Sequence, residues 1–283
     1  MFTKLTYTAK NGAMLDLFND EMFDLVNADN LTFANTNIAA ATTPTIDGDT
    51  INNIQANPRG IVLDLHVKNY VDVEKCKRHI LNVIKLKQSG TLTLTQGQGV
   101  EQRIIEIVGV VESIDLPRFS NACTMQIALH CSNSYWQDVN AVVVEISRVI
   151  GNHHFEIAFP VGAPIALGYI DKQMTQSYTN DGDVETGVVI TIVALGAVTN
   201  PKITNADGQY IGVNDSMVAN DKIIINTNKG HKTIYKNGVS ILNKIKAGST
   251  FIQMATGENQ FTIGADSGAG NMYFNITFKR QFI

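Results

Sequence analysis

The chain has 283 residues, 44% of them apolar, with 22 basic against 26 acidic side chains and a net charge of −4. That apolar share with so small a charge excludes a disordered chain. The acidic balance excludes a nucleic-acid binder acting by bulk electrostatics, and three cysteines are too few for a disulfide scaffold.

At about 150 residues per domain, the length implies one large domain or two ordinary ones. The opening stretch, Met1 to Gly12, has no apolar run that could act as an export signal. The longest apolar stretch, Gly187 to Val198, falls short of the about 20 residues a membrane helix needs. The location expected on these grounds is the cytoplasm of the producing cell, with no membrane partner. Residues 1–60 hold Asp16, Asp20, Glu21, Asp24, Asp29, Asp47 and Asp49 against Lys4, Lys10 and Arg59, so this segment carries the whole net charge. The plain reading of such a run is a solvated acidic face.

The first clear strand signal is Ile61, Leu63, Leu65 and Val67 alternating with Val62, Asp64, His66 and Lys68. From Asp72 the period changes. Val73, Cys76, Ile80, Val83 and Ile84 recur at helical spacing, Asp72 is a good N-cap, Glu74 sits in the first turn, Lys85 and Lys87 in the last, and Gly90 follows as a stop. The spacing predicts one amphipathic helix over 73–88, lying between two strands and covering a mostly β domain.

Strands are then expected at 91–95, 104–114 and 122–131. The last is the most regular, with Cys123, Met125, Ile127, Leu129 and Cys131 on one face. Cys123 and Cys131 stand roughly 26 Å apart along it, too far for a disulfide. Near 132–139 the alternation gives way to Asn133-Ser134-Tyr135-Trp136, which marks the expected boundary between domains 1–140 and 141–283. Beyond it strands are expected at 141–149, 153–159, 187–195, 222–226, 231–235, 250–254, 259–264 and 272–279. Many short strands between Gly, Asn and Asp turns imply sandwiches or barrels.

No motif carries catalysis. There is no G-x-S-x-G elbow, so no catalytic residue is assigned. His153-His154 would point to opposite faces of a strand and could not chelate one ion. Asp181-Gly-Asp183-Val-Glu185 has the flavour of a calcium loop, but its twelfth position is Ile192, which cannot ligate; a solvated turn is the better reading. Gly97-Gln-Gly99 and Gly264-Ala-Asp-Ser-Gly268 lack the spacing and the Lys of a nucleotide cradle. No metal or cofactor is expected.

Two stretches in fixed order do carry a resemblance. The first is Asn57-Pro58-Arg59-Gly60-Ile61-Val62-Leu63-Asp64-Leu65, then the Asp72–Lys87 helix, Gly90-Thr-Leu-Thr-Leu94, the strand Arg103–Ile114, and the alternating strand ending before Ser134-Tyr135-Trp136. The second is Asn200-Pro201-Lys202-Ile203-Thr204-Asn205, Asp221-Lys-Ile-Ile-Ile225, Asn237-Gly238, Gly257-Glu258-Asn259-Gln260-Phe261 and Tyr273–Phe278. This order resembles the distal tail protein (Dit) family, the siphovirus-type tail component of bacteriophage tail tips.

The resemblance implies an N-terminal β-sandwich-like domain with one covering helix that forms a ring, usually a hexamer, and a C-terminal galectin-like β-sandwich facing outward. It implies a non-enzymatic baseplate hub in the virion tail tip, assembled in the host cytoplasm. The hub would join the tail tube protein to the tail-associated lysin or tip protein, with receptor-binding or peripheral baseplate proteins at its rim. DNA would pass through the channel without specific binding. On that reading part of the acidic set Asp16, Asp20, Glu21, Asp24, Asp29, Asp47 and Asp49 would line or border the channel, where like charge lets DNA slide, or would lie at a ring interface. The alternative function is a carbohydrate-binding module for host-wall sugars. Its sites would want exposed aromatic side chains, and the sole tryptophan, Trp136, sits at the domain boundary.

Overall fold

The computed structural model describes residues 2–42, 47–68, 71–97, 102–115, 123–145, 147–151, 168–172 and 174–283. The expected strand 153–159 and the His153-His154 pair lie outside them. Among the described residues the fold is mostly β with one α-helix, and the chain divides into two compact units, Met1–Val139 with Gln281–Ile283, and Asn140–Arg280.

The first unit is built from β1 (Phe2–Ala9), β2 (Met14–Asp16), β3 (Phe23–Asp29), β4 (Thr36–Thr42), β5 (Asp49–Ala56), β6 (Arg59–Val67), α1 (Val73–Val83), β7 (Ser89–Gln96), β8 (Arg103–Asp115), β9 (Thr124–Cys131) and β10 (Trp136–Asp138). Its main antiparallel sheet runs in the order β2-β1-β7-β8-β9-β6-β3. The alternation read from the sequence is what the sheet uses. Ile61, Leu63 and Leu65 of β6 face the same core as Met125, Ile127 and Leu129 of β9, across a register that pairs Ile61 with Leu129 and Leu65 with Met125. Leu5 and Tyr7 of β1 and Leu92 and Leu94 of β7 extend that core.

α1 covers this core with Cys76 and Ile80, and Ile84 at its C-cap is also fully buried. Asp72 is the N-cap, its carboxylate accepting from the Lys75 N–H at 3.0 Å. The helix ends at Val83 rather than 88. Ile84 is already extended, Gln88 N–H closes a turn on Lys85 O, Lys87 sits at φ +63°, and Gln88 O accepts from Val111 N–H at 3.1 Å. Pairing with β8 thus captures the chain before the helical pattern runs out. Nor is Gly90 the stop. It lies inside β7 under the ring of Tyr7, where a Cβ would overlap the Tyr7 ring and hydroxyl. The glycine is there because an aromatic ring crosses the backbone.

The second unit holds β11 (Val142–Glu145), β12 (Ser147–Gly151), β13 (Gly168–Lys172), β14 (Thr175–Asn180), β15 (Thr186–Gly187), β16 (Val189–Ala194), β17 (Val198–Thr199), β18 (Lys202–Asn205), β19 (Tyr210–Gly212), β20 (Ser216–Met217), β21 (Lys222–Asn226), β22 (Thr233–Lys236), β23 (Val239–Ser240), β24 (Gln253–Met254), β25 (Gly257–Gly264) and β26 (Met272–Phe278). One sheet is ordered β11-β26-β16-β21-β22-β23 and another β14-β25-β18-β19. Ile190, Ile192, Ile223, Ile225, Phe274 and Ile276 from the first share one core with Ile203, Ile211, Phe261 and Ile263 from the second. Two inner faces on one core make a β-sandwich.

The last strand, β27 (Gln281–Phe282), pairs with β10 of the first unit, Phe282 opposite Trp136. Phe282 is 2% exposed, and the Arg103 guanidinium lies 4.2 Å from its ring centroid. A second domain running unbroken to 283 therefore needs correcting at its end: the last three residues complete the first unit.

All three cysteines are free thiols. Burial pushes the thiols of Cys76 and Cys131 up to about 11. Since the thiolate is the reactive species, both should resist an aromatic disulfide reagent at pH 8 in the native protein, while half-buried Cys123 reacts first. After unfolding without reductant, three thiols should titrate; a shortfall of two would disprove this.

Within the sandwich, Asp221 accepts from Val218 N–H at 3.0 Å, from Asn237 Nδ2 at 2.8 Å and from Lys236 Nζ at 3.1 Å. These bonds, the backbone one first, hold its carboxyl at about 2 against an ordinary 3.8. A depressed folded-state pKa gives stability that is complete above the unfolded value and lost as pH falls through the folded one. Acid titration of the thermal midpoint should show that loss between about pH 4 and 2, and Asp221→Asn should flatten it. An Asp221→Asn protein with the wild-type acid profile would refute the assignment.

Candidate functional site

The acidic residues of the first 60 positions do not form one cluster; the fold distributes them over three places. Asp16 and Asp20 bracket the turn between β2 and β3. Asp16 Oδ1 accepts from the N–H groups of Phe18 and Asn19 at 3.0 and 3.2 Å, and Asp20 Oδ1 from Met22 N–H at 2.8 Å. Asp20 Oδ2 is 3.1 Å from His79 Nε2 on α1, and its side chain is only 11% exposed. Asp16 braces the turn from within, and Asp20 ties it to the helix. Glu21 is exposed beside them.

Asp24 and Asp29 lie on the outer face of β3, opposite His66 and Val62 of β6. Asp24 pairs with Lys68 at 3.4 Å. Asn27 between them donates to Asp29 at 3.0 Å and to Asp64 at 3.5 Å, and Gln126 donates to Asp64 at 3.0 Å. Asp64 is the residue the acidic count missed. It reads in sequence as one polar position of a strand, and only the register of β3 on β6 brings it to Asp29.

Asp47 and Asp49 stand elsewhere, at the tip of the β4–β5 hairpin. This hairpin pairs with no other strand among the described residues, and all of it but Ala56 is exposed. Sequence reading passed over it. The usable signal was Asp47-Gly48, a turn dipeptide between two Ile-bearing runs, with Gly48 at φ +98°.

Other sites resolve as structural. Trp136 is 1% exposed and its indole N–H donates to Leu31 O at 2.9 Å, so it offers no stacking surface to a sugar. The acids after Asn180 do not converge: Asp181 pairs with Arg280 at 3.9 Å and Glu185 with Lys229 at 2.7 Å. Among the described residues no group of three or more His, Cys, Asp or Glu is placed to hold a metal ion.

Several residues that carried the family resemblance fold turns. Asn237 and Gly238, at φ +47° and +83°, form the two-residue loop between β22 and β23, as a type I′ turn requires. Asn259 clamps the entry to β25, accepting from Ala255 N–H at 2.9 Å and donating to Ala255 O at 2.7 Å. Asn200, at φ +53°, donates to Asp266 at 2.8 Å.

Residues 181–282 match the family model of the siphovirus-type tail component, C-terminal domain. No curated protein matches the chain significantly in sequence. Among solved structures, the chain is similar to the Dit protein of phage SPP1, described as a paradigm of the hub adsorption apparatus in phages infecting Gram-positive bacteria. The TM-score is 0.67 at 12% identity, over 99% of this chain and 99% of that one. A chain of the phage P2 baseplate in its activated conformation with Ca matches with a TM-score of 0.47 at 11% identity, over 98% and 97%. The resemblance thus has support in the family model over residues 181–282, and the chain as a whole shares the fold of SPP1 Dit.

Proposed function

We propose that this chain, with a siphovirus-type tail component domain inside the complete fold of a distal tail protein, is the structural hub of a phage tail tip. The observation that carries the reading is the likeness to SPP1 Dit over 99% of both chains, so that both units have counterparts in one hub protein. In this reading the first unit forms the ring, a hexamer, around the tail channel, and the β-sandwich of the second faces outward. The ring joins the tail tube protein to the tail-associated lysin or tip protein, carries receptor-binding or other peripheral baseplate proteins at its rim, and is assembled in the host cytoplasm. The hub's work is mechanical, and no catalytic group is invoked.

The surface of the first unit suits assembly. Val26, Ile104 and Val108 are 67%, 46% and 57% exposed on its strands, apolar area that an assembling protein covers with partners. Asp24, Asp29 and Asp64 give the outer face of β3 and β6 an acidic edge. We place that edge at the border of the channel, where it disfavours phosphate binding. Asp16 and Asp20 are withdrawn from this role because their oxygens cap the β2–β3 turn. Electron-microscopic averages of the purified protein test the reading. Rings with a central hole are the expected result, and a protein that stays monomeric at high concentration would overturn it.

A further inference from the structure

The β4–β5 hairpin has an apolar face with nothing on it. Its register steps from Ala39↔Asn53 to Ala40↔Ile51, leaving Asn52 as a bulge. Residues paired across an antiparallel ladder point to the same side. The pairs Ile38↔Ile54, Ala40↔Ile51 and Thr42↔Asp49 therefore share one face, because the bulge turns Ile51 onto the side of Ile54. Ile38, Ile51 and Ile54 are 57%, 57% and 61% exposed. A lone two-stranded hairpin is marginal in water, so one that places its isoleucines together on an open face is built to be covered. Its tip adds Asp47 and Asp49.

The complement lies elsewhere on the same unit. An open groove between the end of β1 and the turn after α1 is lined by Lys10, Asn11, Lys85, Lys87, Gln88 and Ser89. No acid lines it, and among the described residues none of the three lysines has a carboxylate within ion-pair distance. Leu86, between two of them, is 55% exposed. Ser89 pairs with Val110, and Thr91 with Val108, so the groove runs onto an outward apolar strip of β8, with Val110 and Val108 40% and 57% exposed. One surface is apolar with an acidic end; the other is apolar with a basic end.

We propose that the hairpin of one copy docks on a second copy of this chain, its isoleucine face over Val108 and Val110 and its Asp47–Asp49 tip in the lysine groove. Two different patches meeting head to tail make a heterologous contact, which repeats from copy to copy and closes into a ring when the rotation allows. The inference rests on the ring reading above and supplies its contact.

The test uses full-length protein and a mass measurement of assemblies across concentration. One variant carries Asp47→Lys with Asp49→Lys, and the other Lys85→Glu with Lys87→Glu. All four positions are exposed, so each monomer should keep the wild-type melting temperature. Each variant alone should assemble about 10-fold or more weakly than wild type, the direction expected when like charges meet across an interface. Mixed in equal amounts, the two should assemble again, as alternating copies in a 1:1 ratio, because every tip then faces a groove of opposite sign. Wild-type rings with both variants assembling unchanged, or a mixture that fails to recover, would overturn the docking and leave the ring reading standing. A wild-type protein that never assembles would overturn both.

Discussion

Replacing Arg59 with alanine should cost the first unit about 2–5 kcal/mol, from buried carbonyls left without a donor and from the cavity where the side chain stood. Arg59 is 1% exposed, and backbone carbonyls accept from two of its three guanidinium nitrogens, while Nη2 is buried with no hydrogen-bond partner among the described residues. Nε donates to Ser134 O at 3.1 Å, and Nη1 to Leu31 O at 2.9 Å and Asn30 O at 3.3 Å. The Trp136 ring lies 6.0 Å away, and its N–H shares the Leu31 carbonyl. Burial lowers the guanidinium's pKa from its ordinary value. Removing the side chain relieves that desolvation but leaves the Ser134 and Asn30 carbonyls short of a donor, at about 1–3 kcal/mol for each that stays buried. It also opens a cavity beside Trp136. Arg59→Lys should recover little, since a single ammonium on a flexible stem cannot reproduce the fork that reaches three carbonyls. Urea unfolding monitored by the fluorescence of Trp136 measures both. A loss under about 1 kcal/mol for Arg59→Ala would show that the network is not holding β6 to the 134–136 turn.

Arg59 also marks where sequence reading reached its limit. Asn57-Pro58-Arg59-Gly60 was visible as a motif of the resemblance, yet nothing local says why an arginine belongs there. Its partners are 28 to 75 positions away. Features set within a few residues were legible. Strand β9 has its inward Met125, Ile127 and Leu129, α1 has its period and its Asp72 cap, and the Asn237-Gly238 turn has its two positive φ angles. Features set by tertiary pairing were not. α1 stops early because β8 takes the chain at Gln88, and Gly90 mimics a helix stop while answering to Tyr7. The seven acids, adjacent in sequence, part because Asp20 turns toward His79 while Asp47 and Asp49 ride a hairpin away from the sheet. That hairpin escaped notice because its apolar face depends on the bulge at Asn52. Without the bulge Ile51 and Ile54 fall on opposite sides, and the sequence shows no alternation to find.

Replacing Ile80 with alanine should cost about 2–5 kcal/mol, the range for truncating a buried aliphatic side chain. Ile80 is fully buried on the α1 face that packs on the sheet, in one core with Cys76 and Ile84. The change removes the branched part of the side chain from a fully buried site in the core that α1 shares with the paired strands, which cannot slide inward to fill the space. Alanine's better helix propensity returns only a few tenths of a kcal/mol. Asn82, exposed on the same helix, is the control, and Asn82→Ala should leave stability within about 0.5 kcal/mol of wild type. Because Ile80 O accepts from Ile84 N–H at 2.8 Å, a backbone bond that alanine keeps, the loss would report packing rather than helix termination. Equilibrium unfolding of the full-length protein measures it. An Ile80→Ala loss no larger than that of Asn82→Ala would mean that α1 does not seal this core.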